Sequence, residues 1–158
     1  GDYLVKEGQH HETTYFVLKG LVRQFKIIEG EDVTTNFFTE EQWIISPVDL
    51  SGTSESEDNL ICMEDCALVI GDEQKALEMF KKFPRFETIS RKIVESAFMA
   101  QQNLMSTYIT DKPEQRYLKL VQNRPEIIQR VPQYDIASFI GVKPESLSRI
   151  RKKIAQKN

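Results

Sequence analysis

An α+β fold is predicted, with a β-roll at the N-terminus, one long helix after it and a helix-turn-helix at the C-terminus. Three observations carry this. Short runs of β-branched and aromatic residues, punctuated by glycine, fill residues 1–72. A stretch free of Pro and Gly runs over about residues 85–108, and the chain beyond residue 131 breaks at Gly141 between two short segments with apolar stripes. With 158 residues the chain can hold roughly two compact units.

Within the first unit, strand composition appears at residues 15–18, 21–28, 33–38 and 67–70, separated by Gly8, Gly20 and Gly30. Phe16 and Leu18 share one face of their strand and Tyr15 and Val17 the other. Both sides therefore carry apolar surface, as in a small closed roll. Ile28-Glu29-Gly30-Glu31-Asp32 stands between two strands and is expected to be a hairpin turn.

Pro84 suits the entry to the long helix, which has the length of a spine. Along it Phe86, Ile89, Ile93, Ala97, Ala100 and Leu104 recur at three and four residues. The small Ala97 and Ala100 permit close approach of a second helix, so the stripe reads as the seam of a two-fold homodimer, with packing on its own roll as the alternative. Asp111-Lys112-Pro113 breaks the spine, which divides the chain into residues 1–82, 83–110 and 111–158. A helix over about residues 113–122 should expose Glu114, Gln115 and Lys119 and bury Tyr117, Leu118 and Val121, and Asn123-Arg124-Pro125 ends it.

The next helix ends over residues 135–140, where Ile136, Ala137 and Ile140 form a narrow apolar stripe. Gly141 closes it, because glycine takes a positive φ without penalty, and Val142 plugs the angle beyond. Lys143-Pro144-Glu145-Ser146 restarts the chain. Proline fits the first helical turn, and Glu145 suits the positive end of the helix dipole. Leu147, Ile150 and Ile154 then recur at three and four residues, leaving Glu145, Ser146, Ser148, Arg149, Lys152 and Lys153 on the other faces. That polar side is the one a major groove would meet.

Charge points the same way once the chain is divided. The whole carries a net −3. Residues 1–110 hold 10 Lys and Arg against 19 Asp and Glu, a net of −9, whereas residues 111–158 hold 11 against 5, a net of +6. An acidic body with a basic end is expected when only that end approaches phosphates. Taken alone, the cationic run also reads as a solvated helix end favoured by the dipole.

These residues resemble the cyclic-AMP receptor protein/Fnr (Crp/Fnr) superfamily of bacterial transcription regulators, in the branch that stops soon after the recognition helix. The resemblance covers nearly the whole chain. It runs through Asp2-Tyr3-Leu4-Val5-Lys6-Glu7-Gly8, Tyr15-Phe16-Val17-Leu18-Lys19-Gly20-Leu21-Val22-Arg23, Phe83-Pro84-Arg85-Phe86 and Pro144-Glu145-Ser146-Leu147-Ser148-Arg149. It implies a sensor domain of the cyclic-nucleotide-binding jelly-roll type, a dimerisation helix and a DNA reader. The expected activity is that of a homodimeric, sequence-specific transcription regulator acting on double-stranded DNA, with RNA polymerase as a further partner. The family carries a helical segment before the first strand, so the chain is expected to lack its natural start. Arg149 matches the family's base-reading arginine and is expected to grip a guanine with both nitrogens; Glu145 matches its glutamate and would accept from a cytosine amine. Pro144 stands where the best-known relatives have an arginine, so the operator should differ from theirs. Lys143, Ser146, Ser148, Arg151, Lys152 and Lys153 complete the DNA-binding set, mostly on phosphates. Arg116, at a position where the family has an arginine, is expected to be structural.

The ligand cassette is where the resemblance weakens. Cyclic-nucleotide binders of the family neutralise the phosphate with a Gly-Glu pair at a helix start and with an arginine about ten residues later. Here no Gly-Glu pair stands at Ile45-Ser46, Asn59 or an acidic neighbour takes the arginine position, and Glu55, Glu57 and Asp58 would repel a phosphate. Cyclic AMP is not expected in the usual mode. The roll is left either empty or open to a neutral or cationic effector of unknown identity, with Ser46, Pro47, Asn59, Gln101 and Gln102 as candidate ligand residues. For Gln101 and Gln102, solvated helix positions are the equal alternative.

Other chemistry is not supported. Cys62 and Cys66 lack a second Cys pair and His10 and His11 are remote, so no metal site is expected and the two read as buried thiols facing the same way. No nucleophile-elbow, Walker or zinc-protease motif occurs, so no enzyme is expected. Nothing resembles a signal peptide and no apolar run reaches about 18 residues, so a soluble, cytoplasmic protein without a membrane partner is expected. The competing reading is a cyclic-nucleotide-like ligand-binding regulatory module that acts through protein contacts.

Overall fold

The computed structural model describes residues 1–10, 13–45, 55–71 and 73–156. Its strands are β1 (Tyr3–Val5), β2 (Thr14–Lys19), β3 (Val22–Ile28), β4 (Glu31–Phe38), β5 (Trp43–Ile44), β6 (Asn59–Cys62) and β7 (Ala67–Gly71). They form two antiparallel sheets, in the orders β1-β6-β3-β4 and β5-β2-β7. Val5, Tyr15, Val17, Val22, Ile44, Leu60 and Cys62, drawn from both sheets, make the core of the roll. Only one face of β2 enters it. Leu18 is 56% exposed and Phe16 is covered by the Trp43 ring at 5.0 Å, so the two-sided burial expected for this strand is halved.

The hairpin between β3 and β4 closes with Ile28 opposite Glu31, leaving the two-residue loop Glu29-Gly30. Both residues have positive φ, 54° and 84°, the primed turn whose twist matches the strands it joins. Farther along, Gln24 pairs with Asn36 but Phe25 pairs with Thr34, so Thr35 is the extra residue of a bulge.

Six helices follow: α1 (Glu73–Lys82), α2 (Arg85–Thr110), α3 (Pro113–Asn123), α4 (Pro125–Arg130), α5 (Gln133–Phe139) and α6 (Pro144–Ala155). Two of them are not legible by periodicity, since α1 has few core-facing residues and α4 is a single short turn set between prolines. In α3 the buried residues are Tyr117 and Leu120, while Leu118 is half-buried and Val121 is 37% exposed, so the expected inner face is turned by about a fifth of a turn toward Leu120.

The position of the last four helices is set by a second core. Leu21 and Phe37 of the roll join Tyr117, Leu120, Ile127, Val131, Ile136, Ala137, Phe139, Ile140 and Leu147 in one cluster. The C-terminal helices are thus built onto the β3–β4 side of the roll. Helix α2 differs, because none of its residues is buried.

Candidate nucleic-acid interface

The elbow between α5 and α6 is a glycine cap. Gly141 has φ 71°, and its N–H donates to the Ser138 carbonyl at 3.0 Å while the Val142 N–H reaches the Ala137 carbonyl at 2.9 Å. This pair of bonds is the Schellman arrangement, which satisfies the last carbonyls of α5 and turns the chain sharply. Pro144 then opens α6 at its first position, and the Lys143 carbonyl accepts the Ser146 and Leu147 N–H groups at 2.9 and 3.1 Å. Arg116 braces the elbow from below. Its Nε donates to the Ile140 carbonyl at 2.9 Å and its Nη1 to the Asp111 carbonyl at 2.8 Å, consistent with the structural role expected for it.

Leu147 is the root of α6, only 1% exposed, with Ile150 and Ile154 packed on the same cluster. At 100° per residue, Glu145, Arg149 and Lys152 lie on the side opposite Leu147, with Ser148 beside them. All four are exposed. Lys143 and Arg151 are exposed as well, and Ser146 is half-buried on the flank. Lys153 is drawn aside to Glu114 of α3 at 2.7 Å. Arg149 makes a 3.4 Å contact from Nε to the Glu145 carbonyl of its own helix and is exposed to solvent.

Docking of this unit on the roll depends on charges whose partners could not be read from sequence. Asp135 of α5 lies 3.1 Å from Arg23 of β3, and both side chains are nearly buried. Burial pushes the Asp135 carboxyl above its usual range against the pull of Arg23. Ser138 bridges to the edge strand β4: its Oγ accepts the Thr34 N–H at 2.9 Å and donates to the Asp32 carbonyl at 3.1 Å. Arg124 donates to the Phe37 carbonyl at 3.0 Å. Arg130, at the end of α4, holds Glu40 at 2.8 Å and also pairs with Glu64. Hydrogen bonds from Arg130 hold the Glu40 carboxyl at about 2, and the two carboxylates raise the guanidinium in turn. Part of the +6 charge of the C-terminal unit is therefore spent on the acidic body rather than left for phosphates.

The seam on α2 is open to solvent over much of its length: Ile89 is 51% exposed, Ala97 and Ala100 are exposed, and Ile93 and Leu104 are half-buried. Ile89, Ile93, Ala97, Ala100 and Leu104 line a cleft of about 1110 Å³ between the helix and its own roll, opposite Trp43. Phe86 stands instead against Phe83 at 6.0 Å. A second stripe, missed in the sequence, faces outward: Val94, Phe98, Met105 and Ile109 are 49, 61, 65 and 74% exposed. Of the candidate ligand residues, Gln101 lines the cleft and Gln102 does not. Asn59 is buried in β6, where its Oδ1 accepts the Glu7 N–H at 3.2 Å. Ser46 and Pro47 lie outside the described residues. Among the described residues no group of three or more potential metal ligands occurs, and no helix is long and apolar enough to cross a membrane.

No family model and no curated protein matches this sequence. Solved structures do. FixK2 from Bradyrhizobium japonicum aligns over 99% of this chain and 81% of its own, with a TM-score of 0.76 at 13% identity. A transcriptional regulator of the Crp/Fnr family from Eubacterium rectale aligns over 99% of this chain and 78% of its own, with a TM-score of 0.66 at 13% identity. The chain has the Crp/Fnr fold. A CooA mutant from Carboxydothermus hydrogenoformans aligns over 99% of this chain and 73% of its own, with a TM-score of 0.74 at 15% identity. The c-di-GMP responsive global regulator CLP of Xanthomonas campestris aligns over 99% and 83%, with a TM-score of 0.74 at 17% identity. Across the Crp/Fnr fold, then, this chain keeps the roll, the long helix and the terminal helix pair at low sequence identity.

Proposed function

We propose that the chain is a homodimeric, sequence-specific DNA-binding transcription regulator. One observation carries this reading. A helix rooted by Leu147 beyond a glycine elbow holds Glu145, Ser148, Arg149 and Lys152 together on its solvent side. In this reading Arg149 and Glu145 meet base edges, and Lys143, Ser146, Ser148, Arg151, Lys152 and Lys153 settle the helix on phosphates. Two copies associate along α2, through the seam of Phe86, Ile89, Ile93, Ala97, Ala100 and Leu104 or the neighbouring stripe of Val94, Phe98, Met105 and Ile109, none of which is buried among the described residues. Pairing supplies two recognition helices for two half-sites. The roll acts as a sensor that does not take cyclic AMP in the usual way. The cleft beside Gln101 is the place for an effector, and RNA polymerase is the further partner.

The test is DNA binding by fluorescence anisotropy on operators selected from random duplex, repeated across a salt series. A reader of this kind loses affinity steeply as salt rises. Arg149→Ala should lower discrimination between operator and mutated operator by about 1–3 kcal/mol, whereas Lys152→Ala should weaken all duplexes alike and reduce the salt slope by about one. Absence of salt-dependent binding at any ionic strength would remove this function and leave the ligand-binding module that acts through protein contacts.

A further inference from the structure

We propose that Cys62 and Cys66 are a thiol pair that peroxide converts to a disulfide, and that closing this bond loosens the grip of Arg130 on the roll. Cys62 ends β6 inside the roll core, and Cys66, four residues beyond it, packs against that same cluster. The Cys66 Sγ lies 3.5 Å from the Leu21 carbonyl, and Leu21 precedes Val22, the residue opposite Cys62 in the β3–β6 ladder, so the two thiols flank the same point of the roll. Cys66 is half-buried and is the thiol an oxidant meets first.

The pair sits inside a closed ring of contacts. Between the cysteines the turn carries Glu64, one of the two carboxylates on Arg130. The other, Glu40, accepts the Gly20 N–H at 2.9 Å. Gly20, with φ 103°, is bare where it meets Cys66: a Cβ there would stand 2.5 Å from Sγ. The Cys66 thiol in turn donates to the Glu64 carbonyl at 3.3 Å and the Leu21 carbonyl at 3.5 Å. Arg130 thus rests on two acids, each anchored one step from the thiol of Cys66.

The chemistry balances with a peroxide as oxidant. The Cys66 sulfur attacks an O–O bond, giving a sulfenic acid and water or an alcohol. The Cys62 sulfur then displaces hydroxide from that sulfenic acid, its proton leaving with the hydroxide as water, and one S–S bond has formed. Burial, with the Cys66 thiol beside it, pushes Cys62 up to about 11, so Cys62 waits as the protonated resolving thiol. Bond formation draws the sulfurs to about 2.05 Å. It also consumes the S–H group that holds the Glu64 and Leu21 carbonyls, so the turn bearing Glu64 must re-form.

The experiment exposes the full chain to hydrogen peroxide and reads intact mass, N-ethylmaleimide labelling and amide exchange in α4, none of which depends on DNA. The expected result is a loss of two hydrogens, no labelled thiol, no link between chains, and faster exchange over Pro125–Arg130. Cys62→Ser should show neither the bond nor the change in exchange, and Glu64→Gln should speed exchange without oxidant. Two thiols that stay open to labelling, or a link formed between chains, overturn the pair. A disulfide that leaves α4 exchange unchanged overturns the coupling. Any consequence for gene control rests on the regulator reading, whose own failure shows separately as absent salt-dependent DNA binding.

Discussion

Replacing Arg23 with methionine tests what orients the C-terminal unit. Arg23 is 6% exposed, its Nε donates to the Thr34 hydroxyl at 2.9 Å and lies 3.1 Å from Asp135, its Nη1 reaches Asp32 at 3.3 Å, and its guanidinium stacks on the Phe25 ring at 4.4 Å. In Arg23→Met the Asp135 carboxylate stays buried with no cation. Breaking one side of such a pair costs about 3–5 kcal/mol. The remaining influences on Asp135, burial and the charge of Asp32, both push its pKa up, so it takes up a proton as pH falls. The folded state then binds more protons than the unfolded state, and stability rises toward acid. Urea unfolding followed by Trp43 fluorescence should therefore show a loss of about 3–5 kcal/mol near neutral pH that shrinks as the pH is lowered toward the acid side. Adding Asp135→Asn should recover much of the loss and remove its pH dependence. A loss under about 1 kcal/mol, or a double variant weaker than the single one at neutral pH, would refute the view that this buried pair fixes the docking.

Leu147→Ala removes the root of the recognition helix, and an unfolding loss of about 3–5 kcal/mol is expected in the same urea assay, accompanied by weaker DNA binding. Phe98→Glu combined with Met105→Glu places charges on the outward stripe of α2 and should convert a dimer into a monomer by sedimentation velocity; a dimer that survives would shift the contact elsewhere. Hydrogen bonds from Arg130 hold the Glu40 carboxyl at about 2, well below the usual carboxylate range. A depressed carboxylate stabilises above its unfolded pKa and loses that contribution as pH falls from about 4.5 to 2. Glu40→Gln should flatten this acid limb by under about 1 kcal/mol, since the pair is largely solvated.

Much of the local structure was legible because it rests on neighbours in sequence. Gly30 and Gly141 mark the two sharp turns, since each stands where φ is positive. The Leu147, Ile150 and Ile154 spacing identifies the underside of α6, and the polar face follows from it. Less was legible where two faces of one helix are both apolar. On α2 the stripe through Ile93 and Ala97 was visible, but periodicity alone does not say which stripe meets the roll, and the outward stripe through Phe98 and Met105 was missed. The phase of α3 was missed for the same reason, because Leu118, Leu120 and Val121 are equally apolar on paper.

The sequence by itself determined the order of roll, spine and helix pair, the caps that separate them, and the set of side chains that α6 presents. These depend on φ preferences and on repeats a few residues long. Only the tertiary structure decided the long-range acid partners of two arginines: Arg23 with Asp135, and Arg130 with Glu40 and Glu64, 112, 90 and 66 residues apart. Charges act through space and carry no sequence period, so their pairing exists only once Leu21 and Phe37 have drawn the C-terminal helices onto the roll.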